Sequence, residues 1–197
     1  MAATARRQGV TPYEAPPAEL PFTVRELFDA LPPLPGLRVE VIEGNMRVSP
    51  IGAPRHQLIA GLLYELMIPV RRKHGWASYG GVGICIEGPR DTLVPDYVLA
   101  PADCSLWGNE LQSRGVIMVA EVVSPGSVRE DRVAKPKLYA VGGIPVCLVI
   151  DPIARTMTVY SNIVDDAYQD VHTKPLGTTL HLPEPVDFEL ETTELTE

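Results

Sequence analysis

Two acidic residues stand inside stretches that should be wholly apolar. Asp96 lies in "LVPDYVLA" and Glu121 in "GVIMVAEVV". A lone carboxylate in a low-dielectric interior costs several kcal/mol unless a cation or hydrogen-bond donors meet it. If the two strands are neighbours, both carboxylates converge at one edge of a sheet, and their repulsion raises at least one pKa. A divalent cation removes that repulsion. Mg²⁺ suits such a pair, because it is held by one or two carboxylates and completed by waters and substrate phosphates. The competing reading for either acid is a strand-end side chain that faces solvent or caps a turn.

Other residue types with chemical potential are fewer. His56 follows Pro54-Arg55 at the expected start of a helix. It can contact a phosphate or shuttle a proton there, or simply be satisfied at the helix N-terminus. Asp151, in "VIDP", ends a strand before a proline and reads first as a turn former. "VRRKHGW" is basic with an aromatic neighbour, and reads as a solvated helix end that can also touch a phosphate backbone. No GxxxxGK[ST] loop occurs, and "GGVGICIEG" is too short and wrongly spaced for a dinucleotide fingerprint. The four histidines lack zinc-ligand spacing, and Ser124-Pro125-Gly126 is not a nucleophile elbow.

The elements that must hold these residues can be read from hydropathy and turn chemistry. Residues 1–21, rich in Pro and Ala, read as an extended arm. "FTVRELFDAL" reads as a short helix with Thr23 and Glu26 as a capping box, stapled by Phe22 and Leu27. "RVEVIEGNMRVS" reads as two strands joined at Glu43-Gly44-Asn45. A helix follows, with Leu58, Leu62 and Leu66, together with Ile59, Leu63 and Met67, on one face and an end or kink at Pro69. "WASYGGVGICIE" and "TLVPDYVLA" read as strands, and "GVIMVAEVV" as a strand buried on both faces. "SVREDRVAKPKLYAVGG" is partly helical and leads to the apolar strand "IPVCLVID", a crossover unit with both strands in one sheet. The fold class expected is α/β, with a mixed central sheet flanked by helices. One domain over residues 22–190 is expected, followed by an acidic frayed tail at 191–197.

Taken in order, "VPDYVLA", "MVAEVVSPGS", "EDRVAKPKLYA", "GGIPVCLVIDP" and "RTMTVY" resemble the Uma-two family, within the PD-(D/E)XK nuclease superfamily. Upstream, "VEVIEGNMRVSPIGAPRHQLI" resembles its glutamate strand, glycine turn and histidine-bearing helix start. The resemblance implies a restriction-endonuclease-like core and a metal-dependent endonuclease, with DNA as substrate. It implies Asp96 and Glu121 as ligands of Mg²⁺ (or Mn²⁺), joined by the backbone carbonyl of Val122. The superfamily's lysine, two residues after the second acid, is replaced here by Val123. The family pattern carries it on the following helix as D-x-x-x-K, matched by Asp131 and Lys135. Glu40 matches the additional N-terminal acid better than Glu43, which suits a solvated hairpin turn. Pro136 directly after Lys135 should kink the helix or delay its start past the Ser127–Glu130 capping box, which leaves Lys137 as a substitute.

Composition sets the boundaries of these readings. The net charge of −8 argues against a general nucleic-acid binder. The excess is C-terminal, however: residues 161–197 hold nine acids and only Lys174 as a base, while residues 1–160 hold sixteen of each. No membrane span and no secretory h-region are apparent, and the three scattered cysteines suit reduced thiols, so a cytoplasmic protein is expected. A homodimer is expected by analogy with enzymes that cut both strands of a duplex. Two rivals stand beside the nuclease reading: a nuclease-fold binding or regulatory module with little activity, and a purely structural acid cluster.

Overall fold

The structure, a computed structural model, describes residues 23–88 and 90–196. The expected N-terminal arm and the Phe22 half of the staple lie outside them. Helix α1 (Val24–Asp29) carries the complete Thr23–Glu26 capping box. Strands β1 (Leu37–Ile42) and β2 (Asn45–Pro50) form a hairpin in which Ile42 pairs with Asn45. Its two-residue turn, Glu43-Gly44, has positive φ at both positions, which matches the twist of the paired strands. Asp91 holds that turn by accepting from the N–H groups of Glu43 and Gly44 at 2.9 and 3.0 Å.

Helix α2 (Pro54–Leu66) starts with proline in its first turn and gives way at Met67 to α3 (Ile68–His74). Gly75 closes α3 in the left-handed conformation. The next strands are β3 (Trp76–Tyr79), β4 (Ile84–Cys85), β5 (Thr92–Leu93) and β6 (Tyr97–Pro101). Then come β7 (Leu106–Trp107), β8 (Glu110–Gln112) and β9 (Met118–Val122). A π-helical turn, Glu130–Ala134, runs directly into α4 (Lys135–Val141). The chain continues through β10 (Val146–Asp151), β11 (Thr156–Val164), β12 (Ala167–Pro175), β13 (Leu180–Leu182) and β14 (Phe188–Leu190).

The central mixed sheet has the order β12-β11-β10-β9-β6-β3. β9 and β10 run parallel across the expected helical crossover, and β6 runs antiparallel to β9. One face packs on α2 and α3 through Ile59, Leu63, Met67 and Val70, against Tyr97, Leu99, Ala120 and Leu148. Each such fully buried aliphatic side chain contributes about 1.5–3 kcal/mol. The opposite face, with Val98, Val119 and Val149, packs on α4 and on a second sheet of order β2-β1-β5-β4-β8-β7. That second sheet is not evident from the sequence, because four of its strands are two or three residues long, too short for an alternation signal.

The C-terminal residues depart from the fraying expected of them. Thr192 and Leu195 are buried, and Leu195 joins the α2 side of the core from a 3₁₀ turn, Thr193–Thr196. No helix among the described residues is long and apolar enough to cross a membrane.

Candidate active site

β6, β9 and β10 bring their acidic residues to one end of the central sheet. Tyr97 pairs with Ala120, so one further step of the register sets Asp96 across from Glu121. The ladder does not simply continue at that point. The Asp96 N–H donates to the Ala120 carbonyl (3.1 Å), while the Asp96 carboxylate accepts from the Val122 N–H (2.8 Å). A side chain thus stands in for the next backbone acceptor. Pro95 has no N–H to offer, and the Val94 N–H is diverted to Glu40 Oε1 at 2.8 Å. Strand geometry turns the Val122 carbonyl to the same side as its N–H, towards Asp96.

Asp96 is met from three elements. Besides Val122 on β9, Arg38 on β1 donates to Oδ1 at 2.8 Å, and His56 in the first turn of α2 lies 3.0 Å from Oδ2. Burial raises the Asp96 pKa, but the His56 hydrogen bond, the Arg38 charge and the Val122 N–H outweigh it and hold the group at about 2. Because a carboxylate only accepts, His56 Nε2 carries the proton on that side. His56 Nδ1 is buried and has no hydrogen-bond partner among the described residues. Gly52 makes room for that ring, since a Cβ there would lie 2.3 Å from Nδ1.

Glu121 is fully buried and faces the second sheet and α4. Tyr139 on α4 donates to its Oε1 and Lys135 to its Oε2 at 3.1 Å. The Lys135 ammonium also lies 3.2 Å from Glu40 Oε1 and 3.2 Å from Asp131 Oδ1. Burial opposes its charge, yet Glu121, Glu40 and Asp131 raise its pKa well above the ordinary lysine value. Glu121 moves upward too, chiefly through burial and then through Asp131, Asp96 and Glu40, with Lys135 pulling the other way. Asp131 is fixed in turn by the Ser127 hydroxyl, which bonds to Ser124 at 2.7 Å.

Pro136 is accommodated without displacing Lys135. Through the π-helical turn the Lys135 N–H bonds to the Glu130 carbonyl, five residues back, and Pro136 falls in the first turn of α4. A missing N–H is tolerated there, and such single π turns recur at functional sites. Lys137 is exposed. The expected Ser127–Glu130 capping box does not form; the Ser127 hydroxyl donates to Asp131. Glu43 sits at the hairpin turn, exposed, 3.4 Å from Arg129.

Two participants escape the sequence reading. Arg38 alternates with Glu40 on β1 and so reaches the same face, a period-two signal inside "RVEV". Tyr139 stands one helical turn after Lys135, in register with it.

Glu40, Asp96, Glu121 and Asp131 form a cluster in which Arg38 and Lys135 are the permanent cations, a formal excess of two negative charges before His56 is counted. Among the described residues no group of three or more His, Cys, Asp or Glu is arranged as a metal cage. A hard divalent ion of the Mg²⁺ kind would need fewer protein ligands than such a cage, because it takes one or two carboxylates and keeps its waters. Asp96 and Glu121, with the Val122 carbonyl, would hold it.

The sequence pattern of the Uma2 family, described as "Putative restriction endonuclease", matches residues 25–195. The chain belongs to the Uma2 family. Among solved structures, the chain is similar to a "putative nuclease belonging to DUF820" from Anabaena variabilis ATCC 29413, with a TM-score of 0.69 at 17% identity. The match covers 89% of this chain and 98% of that one, so the likeness shows a shared fold across nearly the whole molecule. No curated protein matches the sequence. For a Uma2 chain, the α/β architecture is thus the one that the resemblance implies.

Proposed function

We propose that this Uma2 chain is a Mg²⁺-dependent endonuclease that hydrolyses phosphodiester bonds in DNA, with Mn²⁺ as an alternative ion. The observation that supports this most strongly is the convergence of Asp96 and Glu121 at one register step, with the Lys135 ammonium inside the carboxylate cluster. A bound Mg²⁺ would make a hydroxide-like nucleophile available near neutral pH and stabilise charge on the phosphate.

The chain's own groups divide the remaining work. Arg38 and the Val122 N–H orient Asp96 so that its carboxylate stays ionised. Tyr139 fixes one oxygen of Glu121 and Lys135 the other. Lys135 stays an ammonium at all working pH values, so it serves as a preorganised positive charge and not as a base. His56 turns a protonated Nε2 towards Asp96, which sets an imidazole able to relay a proton next to that carboxylate.

The test is cleavage of labelled DNA by the full chain with Mg²⁺ or Mn²⁺, beside Asp96→Asn and Glu121→Gln. Both variants should fold, by circular dichroism, and lose metal-dependent cleavage. Undiminished cleavage by Asp96→Asn would remove that residue from the mechanism.

A further inference from the structure

The cleft beside Asp96 has walls ill suited to a duplex. It lies between α2, β1 and the Gly80-Gly81 loop, and its charged lining residues are Arg38 and Asp96. Leu37, Val39, Ile51 and Val94 supply apolar sides, and Leu37 and Ile51 stay largely exposed at 46% and 59%. The Tyr64 ring forms part of the α2 wall, held edge-on against Tyr97 at 4.8 Å. The Tyr64 hydroxyl is buried with no hydrogen-bond partner among the described residues. A buried tyrosine hydroxyl normally finds one. Gly80 closes on it so tightly that a Cβ there would lie 2.4 Å from the oxygen.

Binding to duplex DNA draws most of its sequence-independent strength from Lys and Arg that neutralise phosphates. Of such cations the cleft lining holds Arg38, and residues 1–160 carry sixteen acids against sixteen bases. An apolar slot with an aromatic wall instead suits a nucleobase taken out of a stack, which gains affinity by burial and stacking. Arg38 stands at the junction of slot and carboxylates. Its guanidinium has donors beyond the one given to Asp96, and a phosphate attached to such a base is an acceptor they would suit.

We propose that this cleft receives one unpaired base of the substrate strand, next to the phosphate to be cut, so that the site acts on single-stranded nucleic acid in preference to duplex. The proposal deepens the nuclease reading and rests on it for the word "cut" alone.

Gly61 offers a clean probe. It lies on α2 in the cleft wall, and a Cβ there would meet nothing within 4 Å. Gly61→Leu therefore fills the slot without touching the carboxylate cluster, and leucine favours a helix more than glycine does. Metal-free binding is measured with a short oligonucleotide carrying 2-aminopurine, as single-stranded DNA, single-stranded RNA and duplex DNA. Wild type should change the 2-aminopurine emission and prefer a single strand, DNA or RNA, to duplex by about tenfold or more. Gly61→Leu should lose about tenfold in single-strand affinity, leave duplex binding unchanged and melt no lower than wild type. Equal single-strand binding by Gly61→Leu, or a preference for duplex in wild type, would overturn the assignment. Single-strand cleavage undiminished in Gly61→Leu would overturn the cleft and leave the nuclease reading standing. Single-strand binding lost in Gly61→Leu, with no cleavage by wild type under any metal, would do the reverse.

Discussion

Asp151 and Asp96 occupy equivalent stations, one at the end of β10 and the other just before β6, at the same edge of the central sheet. Both are nearly buried, both accept from backbone N–H groups and both pair with an arginine. The difference lies in where the partners come from. Asp151 closes its own turn, accepting from the Ile153 and Ala154 N–H groups at 3.0 and 2.9 Å, and pairs with Arg132 at 2.6 Å. Burial raises its pKa, and Arg132 with the two N–H groups brings it below the usual carboxylate range. Asp96 is held by β1, β9 and α2 together, and shares its surroundings with Glu121, Glu40 and Asp131. A locally satisfied acid is structural. One held by several distant elements and left with an excess of like charge has been positioned for something else.

The largest expected effect sets the cation of the carboxylate cluster beside Asp96 against the cation of Asp151. Lys135→Met strands three carboxylates in the interior, and breaking such a buried set costs about 3–5 kcal/mol. Chemical denaturation should show that loss near neutral pH, easing as acid supplies protons to the stranded groups. Arg132→Ala, which removes an exposed guanidinium from Asp151, should leave the curve close to wild type. Comparable losses in both variants would erase the contrast.

A smaller effect concerns pH. The Asp96 side chain is 3% exposed, and its lowering from 3.8 to about 2 is worth about 2 kcal/mol. Because the folded value lies below the unfolded one, that stabilisation is present above pH 4 and fades as pH falls towards 2. Asp96→Asn should therefore be less stable than wild type at pH 6, with the gap closing below pH 4. Asp151→Asn should show the same sign over the same range and a smaller gap. A gap for Asp96→Asn that widens in acid would contradict the assigned partners.

Much of this arrangement is legible in the sequence because it is written in periodicities. Asp96 and Glu121 stand out as charges in apolar strands, the crossover from β9 to β10 follows from a helix between two apolar runs, and the capping box of α1 is spelled by Thr23 and Glu26. Asp131 and Lys135 share a helix face by spacing. What stays hidden depends on distance in space. Arg38 looks like an ordinary strand residue until β1 is laid beside Asp96. Tyr139 looks like core until its hydroxyl meets Glu121. The π-helical turn that reconciles Pro136 with Lys135 has no sequence period of its own, the short strands β7 and β8 take shape only against their neighbours, and β4 and β5 are hidden as separate strands inside the longer ones expected.

Calorimetric titration with Mg²⁺ and Mn²⁺ probes the Asp96–Glu121 pair for an ion without substrate or turnover. Wild type and Asp151→Asn should bind one ion with similar heats, while Asp96→Asn and Glu121→Gln bind neither metal. A wild-type protein that takes up no divalent ion, or an Asp151→Asn variant as deficient as Asp96→Asn, would contradict the account.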